Sequence, residues 1–453
     1  MEPNLLPRPD YEGRRRQLMA KMSDRGVLVL PTAGLQTRSR DVYYPFRADS
    51  DFFYLTGFAE PEAVLVLAPG YAGGEQLLFC RARDPEREVW DGRRAGLEGA
   101  LETCQVDRCY DIREIDAILP NILENREVLL YPMGQAVELD ARVQQWRSHA
   151  KSRARQGVRY PVELVETGYL LHEMRLIKDP TEQEIMRAAI GMSAAGHRYG
   201  MRQCRPGMHE YQLQAEIEHV FHRLGASHVA YPSIVGAGAN ACILHYTENR
   251  DRMQQGDLVL VDAGAELQGY AGDITRTYPV NGTFSPAQLA VYDLVLKSQL
   301  AAIEKLEIGR SVADYHEAAV EILVDGLRDL GILREGREEI LERQLYRSFY
   351  MHRTGHWLGM DVHDVGAYRS PDGQWRNLEA GMVLTAEPGL YFPPDCADVP
   401  EMYRGIGIRI EDDVLVTREG PEILSAGVPK MPADIEDLMA LGESVAAQYF
   451  RSS

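Results

Sequence analysis

At 453 residues the chain is too long for one ordinary hydrophobic core, which predicts two or more domains. Its 45% hydrophobic and 26% charged content excludes an intrinsically disordered chain. Against 68 acidic side chains stand 49 lysines and arginines, a net charge of -19, which argues against a nucleic-acid or anionic-membrane partner, since both need a basic face.

In chain order, residues 11–22 form a basic amphipathic stretch that predicts an opening helix. The runs G-V-L-V-L-P (26–31), E-A-V-L-V-L-A-P (62–69), E-Q-L-L-F-C (75–80) and E-V-L-L-Y-P (127–132) are short, apolar and ended by Gly or Pro. Such runs predict strands, with helices near 113–124 and 137–150 between them. Residues 1–174 are therefore expected to be an α/β domain. A linker or domain edge is expected near 165–178, before K-D-P-T-E-Q-E-I-M, whose proline in the first turn followed by acids marks a helix start. The six cysteines (80, 104, 109, 204, 242, 396) are scattered without a C-x-x-C pair, as in reduced cytosolic proteins. With no apolar signal core at the start and no apolar run of about 18 residues, the expected location is cytoplasmic.

Residues 175–453 are expected to be the catalytic domain, and they contain a faint repeat. A helix over 180–204, a turn and a helix over 209–224 ending in L-G-A are echoed by 285–305, a turn and 311–330 ending in L-G-I. The spacing from Pro180 to Ser285 is 105 positions, from Tyr211 to Tyr315 104, and from Leu224 to Leu330 106. One unit used twice predicts a pseudo-twofold α/β (α+β) domain with its cleft at the junction.

The chemistry gathers in that second half. Within the apolar string D-L-V-L-V-D-A-G-A, Leu258, Leu260 and Asp262 are expected to share one face in the core of a strand, and Asp273 follows on what is expected to be a returning antiparallel strand, so a hairpin would bring the two together. Glu387 stands in T-A-E-P-G-L-Y, held extended by the following proline. In G-I-G-I-R-I-E-D-D the isoleucines 406, 408 and 410 share one strand face, leaving Arg409 and Glu411 on the other. Between these groups lies H-R-T-G-H-W-L-G-M-D-V-H-D, with His352, His356 and His363. An unpaired carboxylate in apolar sequence costs several kcal/mol, on the order of 3–5. Four of them with an imidazole call for a pair of divalent cations. Oxygen-rich ligation with one nitrogen suits Mn²⁺, with Co²⁺, Fe²⁺ or Zn²⁺ as alternatives. Two such ions lower the pKa of a bridging water and polarise a carbonyl, which is hydrolysis rather than redox chemistry.

The motifs D-A-G…G-D-I-T-R-T-Y-P, H-x-x-x-H-x-L-G-x-x-V-H-D, A-E-P-G-L-Y and I-R-I-E-D resemble those of the pita-bread metallopeptidases over about residues 175–440. This family includes methionine aminopeptidase, prolidase, aminopeptidase P and the metal-free creatinase. C-I-L-H-Y-T-E-N, P-E-M-Y-R-G-I-G-I-R-I-E-D-D and the N-terminal S-D-F-F-Y-L-T-G-F-A-E-P-E extend the likeness toward the aminopeptidase P branch and nearly the whole chain. The resemblance implies two Mn²⁺ per subunit: Asp262 on one, His356 and Glu387 on the other, Asp273 and Glu411 bridging. It implies attack by a metal-bridging hydroxide on the bond between an N-terminal residue and a following proline. It places His245, His352 and His363 around the substrate, His363 near the developing oxyanion and His352 beside the proline pocket. Arg409 is expected to neutralise or orient a bridging carboxylate. It further implies a homotetramer or homodimer, with Trp90 in E-V-W-D-G-R-R, an expected loop, reaching a neighbouring subunit. His197, His209, His219 and His222 are expected to be packing or surface residues. Two alternatives stay open: a prolidase cleaving Xaa-Pro dipeptides with the same five ligands, and a non-catalytic peptide-binding homologue.

Overall fold

The computed structural model describes residues 6–442. The chain divides into two compact units, one of residues 8–175 and the other beginning at Leu176. The segment expected as a linker is occupied by a helix, Gly168–Leu176.

The first unit opens with helix α1 (Tyr11–Lys21), whose N-cap Asp10 accepts a hydrogen bond from the Gly13 amide. A six-stranded mixed sheet follows, made of β1 (Gly26–Pro31), β2 (Val64–Leu67), β3 (Gln76–Cys80), β4 (Arg108–Asp111), β5 (Val128–Leu130) and β6 (Glu163–Val165), in the order β4-β3-β2-β1-β5-β6. β1 runs antiparallel to β2 and parallel to β5, and every residue of it is buried. A central strand covered on both faces must be apolar throughout, which is why G-V-L-V-L-P does not alternate. Helices α2 (Ile115–Ile122) and α3 (Val137–Ser152) close one face, packing Leu119, Val143 and Trp146 onto Val29, Val66 and Phe79. The E-V-W-D segment is helical rather than a loop: residues Pro85–Asp91 form a short helix capped by Asp84.

The second unit is built from two like halves. Helix α4 (Pro180–Gln203) packs on α5 (Glu210–Arg223), and α6 (Pro286–Ile303) packs on α7 (Asp314–Asp329). Both long helices begin with the same local device. Asp179 with Glu182, and Ser285 with Gln288, form reciprocal capping boxes around a proline in the first turn. The α4–α5 crossing is close because residue 196 is glycine; a Cβ there would lie 2.3 Å from the Phe221 ring.

Each helix pair leads to antiparallel strands. In the first half, β7 (Ile234–Ala237), β8 (Leu258–Asp262) and β9 (Thr275–Pro279) form one three-stranded sheet. In the second half, β10 (Val383–Ala386), β13 (Asp412–Thr417) and β14 (Gly420–Ile423) form another, and β11 (Gly389–Phe392) pairs with β12 (Ile406–Arg409). This is the pseudo-twofold α/β domain the repeat predicts. No helix among the described residues is long and apolar enough to cross a membrane.

Candidate metal centre and cleft

The four carboxylates sit at strand ends, not in strand middles. Asp262 is the last residue of β8 and pairs in register with Thr275, the first of β9. Asp273 precedes β9 and is not on it; its backbone amide donates to the Asp413 carboxylate at 3.0 Å. Glu387 lies between β10 and β11, and Glu411 between β12 and β13. At a strand end the side chain is positioned by the sheet, yet its neighbours leave room for a ligand. His356 comes from a segment without regular structure that is stitched to β10. Its amide donates to the Thr385 hydroxyl at 3.1 Å, and its carbonyl accepts from the Thr385 amide at 3.0 Å. Only glycine fits before it, because a Cβ at residue 355 would lie 2.0 Å from the Thr385 carbonyl oxygen.

All five expected ligands meet here. Asp273, His356 and Glu411 each offer an atom, and these three lie within 4.8 Å of one another. His356 Nε2 is 3.3 Å from Asp273 and 3.6 Å from Glu387. Its Nδ1 donates to the Trp357 carbonyl at 2.9 Å, so Nε2 is the nitrogen presented to the acids. The Tyr231 hydroxyl lies 2.6 Å from both Asp262 and Asp273. Arg409 donates to Asp262 at 2.6 Å and reaches Glu411 only through the Thr275 hydroxyl, which donates to Glu411 at 2.6 Å. Its direct carboxylate partner is therefore Asp262, while its charge and the Thr275 link also act on Glu411.

The electrostatics fit a cation pair. Burial, followed by the neighbouring acids Asp273, Glu387 and Asp262, pushes Glu411 well above the ordinary carboxylate range. Burial pushes Glu387 up to about 7 against the pull of His356 and Arg409. Burial also raises Asp262, opposed by Arg409. Burial acts against Asp273 too, but the His356 hydrogen bond and charge hold it down, and burial is likewise overcome at His356, which rises to about 9. One imidazole and one guanidinium do not satisfy four crowded acids; divalent ions among them would.

Around this cluster opens a cavity of about 700 Å³ with Ile234 and Leu244 as apolar wall. His245, His352 and His363 all line it. His352 Nδ1 donates to the Arg353 carbonyl at 2.7 Å, so its Nε2 accepts from the Tyr391 hydroxyl at 2.8 Å. That hydroxyl in turn accepts from Arg409 at 3.2 Å. Burial and the Arg409 charge push His352 down to about 3, so the ring is neutral. The His363 ring packs edge-on against His356 with centroids 4.3 Å apart.

Several residues of the site were silent in the sequence. Tyr231 lies in none of the motifs read from the sequence. Glu210, fully buried, accepts from the Ala237 and Asp251 amides, from Asn240 and from the Tyr246 hydroxyl, at 2.8–3.0 Å. It thus pins both ends of the segment bearing His245. Asp412 accepts from Arg276, Ser425, Gln299 and Lys430, and so braces the strand that follows Glu411. A buried ion pair, Lys178 to Asp364 at 2.9 Å, tethers the residue after His363 to the start of α4. Of the helical histidines, His197 is buried and donates to the Ala263 carbonyl at 2.9 Å, whereas His219 and His222 are exposed.

A carboxylate-rich centre with one imidazole, at the junction of two like half-domains, defines a metal-dependent hydrolase. The chain belongs to metallopeptidase family M24, whose model matches residues 184–418, and carries an aminopeptidase P N-terminal domain over residues 11–131. Among curated relatives, an Xaa-Pro aminopeptidase of Escherichia coli (strain K12) is 46% identical over 96% of this chain and 98% of its own length. Among solved structures, the Pseudomonas aeruginosa aminopeptidase PepP is 50% identical with a TM-score of 0.95, covering 97% of this chain and 99% of that one. A zinc-substituted E. coli aminopeptidase P in complex with product is 45% identical with a TM-score of 0.92, covering 95% and 98%.

Proposed function

We propose that this chain is an Xaa-Pro aminopeptidase, releasing the first residue of peptides whose second residue is proline. The observation that carries this reading is the buried cluster of Asp262, Asp273, His356, Glu387 and Glu411 beside a cavity walled by Ile234, Leu244 and His352. We assign Asp262 to one metal ion, His356 and Glu387 to the other, and Asp273 and Glu411 to both. Manganese is the favoured ion on donor chemistry, oxygen-rich with one nitrogen, and zinc is an alternative. When bound, the ions supply a nucleophile at neutral pH and a Lewis acid for the scissile carbonyl.

The protein's own groups do the rest. Arg409 and Tyr231 hold Asp262 in place. Glu387, 3.6 Å from the His356 imidazole and facing the cavity, is assigned to accept and return the proton of the attacking water. His363, at the cleft edge, donates to the carbonyl oxygen as charge develops on it. Neutral His352, fixed by Tyr391, packs the proline ring, and His245 closes over the peptide. A proline-shaped wall is needed because the Xaa-Pro bond has no N–H to donate and a locked φ, so a general peptide cleft fits it poorly.

The N-terminal unit is assigned to assembly and to shaping the cleft of a homotetramer or homodimer, through Trp90. That side chain is 85% exposed, beside Val89 at 80%, on its short helix. A cytoplasmic location accords with the scattered, unpaired cysteines. The deciding experiment compares kcat/KM for a matched Xaa-Pro-Xaa tripeptide and Xaa-Pro dipeptide with Mn²⁺ present. The tripeptide is expected to be cut well, the dipeptide poorly, and a peptide lacking the proline more poorly still. Preference for the dipeptide would make this a prolidase with the same metal site.

A further inference from the structure

A second cavity of about 250 Å³ adjoins the metal cleft and shares His352 and Arg353 with it as common wall. Its surface is aromatic and cationic: Tyr346, Tyr350 and Trp375, with Arg347 and Arg353, against Glu317 as its acid. The Arg353 guanidinium lies 4.8 Å from the Trp375 ring centroid, and the Arg369 guanidinium lies 3.7 Å from the same centroid. Arg347 donates to the Gln344 side chain at 3.1 Å, and Arg369 to the Gly373 carbonyl at 2.6 Å. None of the three guanidiniums has a carboxylate partner among the described residues. The field of two of them converges on His316 in the same cavity, which burial and then Arg353 and Arg347 push down to about 4.

Two arginines without a carboxylate partner stack on Trp375 and a third lines the same cavity, in a chain of net charge -19. Elsewhere on this protein, exposed arginines such as Arg187, Arg337 and Arg343 sit against carboxylates. A planar guanidinium stacked on an aromatic ring keeps its N–H edge free and pre-oriented for a carboxylate. The position is also informative. A peptide with its scissile bond at the metal cluster and its proline against His352 carries its third residue past that histidine, toward Arg353 and the second cavity.

We propose that this second cavity is a subsite for a carboxylate that the peptide carries beyond its proline, an acidic third side chain or the chain's own C-terminus. This rests on the aminopeptidase reading of the cleft. Exposed guanidinium–carboxylate pairs contribute modestly, so two of them are expected to change kcat/KM by about five- to tenfold and to weaken with salt.

The test uses the full-length protein with Mn²⁺ and peptides of the form Ala-Pro-X-Ala amide, with X as Glu, Gln or Lys. Ala-Pro-Ala is compared in parallel as free acid and as amide. The expected order is Glu above Gln above Lys, the spread shrinking in ~0.5 M salt. Arg347→Gln and Arg369→Gln should each narrow the Glu-to-Lys ratio, while Arg187→Gln, the same charge change at a distant ion pair, should leave it as it is. A gain confined to the free-acid tripeptide would locate the recognised carboxylate at the chain end. Equal rates for Glu and Lys together with equal rates for acid and amide would overturn the proposal, as would a ratio indifferent to Arg347→Gln and Arg369→Gln. Cleavage of the Gln peptide reads the underlying activity separately. If it is cut and no carboxylate helps, the subsite alone fails; if no proline peptide is cut, the aminopeptidase reading fails and takes the subsite with it.

Discussion

Asp273 and Asp262 are chemically identical and share the Tyr231 hydroxyl, yet their surroundings give them different work. Asp273 lies in the group with His356 and Glu411 whose atoms are mutually within 4.8 Å, while Asp262 is held to one side by Arg409. Asp273→Asn is therefore expected to lower metal content further than Asp262→Asn, since a shared ligand serves two ions. Elemental analysis after gel filtration decides it, and equal losses would remove the bridging assignment. His363 touches the cluster only through the His356 ring, so His363→Ala should leave metal content nearly intact. A hydrogen-bond donor to a developing oxyanion is worth about 2.7–4 kcal/mol, so kcat should drop by about 10²–10³-fold. Loss of metal in that variant would make His363 a ligand instead.

The element that carries His245, residues 234–251, contains only a short strand and one 3-10 turn, so its shape depends on anchors rather than on its own ladder. Glu210 on α5 is the main anchor, its buried carboxylate taking four donors from that segment. Glu210→Gln keeps the shape but turns one acceptor oxygen into a donor facing donors, at a cost of about 1–3 kcal/mol. The expected outcome is a lower melting temperature, a KM raised several-fold, a smaller change in kcat and unchanged metal content. A lower melting temperature with KM untouched would limit Glu210 to a structural role. This same contrast explains what the sequence did and did not disclose. The capping boxes at Asp179 and Ser285, the helix pairs and the apolar strands are local, written within a few neighbouring residues. The four carboxylates were legible as a group because burying acids beside apolar runs is costly and demands a reason, whereas singling out His356 among three histidines rested on the family motifs. Glu210, Tyr231 and the Lys178–Asp364 pair act across 27 to 186 positions of chain, and nothing near them in sequence marks the partner. The strand-end placement of the acids was missed for a related reason, since an apolar run does not record where its ladder stops.

At the scale of the molecule, two forces act on assembly in opposite directions. Each unit has its own apolar core, around Val29, Phe79 and Trp146 in one and around Leu306, Trp357 and Leu384 in the other, so neither requires a second subunit to bury it. A net charge of -19 sets copies of the chain against one another. Against that stands the apolar pair Val89 and Trp90, 80% and 85% exposed on a seven-residue helix that buries none of its residues. Burying one such side chain in an interface contributes about 1.5–3 kcal/mol, and a closed symmetric assembly repeats the gain at every subunit. The repulsion is long-ranged and screened by salt, whereas the apolar contact is not weakened by it. An assembly held through Trp90 should therefore tighten as ionic strength rises from low to physiological. Trp90→Glu, which removes the ring and adds a charge to an already acidic surface, should shift the protein toward smaller species without disturbing metal content. Light scattering at micromolar concentration across a salt series reads both effects. A fully active monomer at every salt concentration would dispose of the assembly and of the role given to Trp90. Tightening with salt that Trp90→Glu leaves unchanged would keep the assembly and move its interface elsewhere.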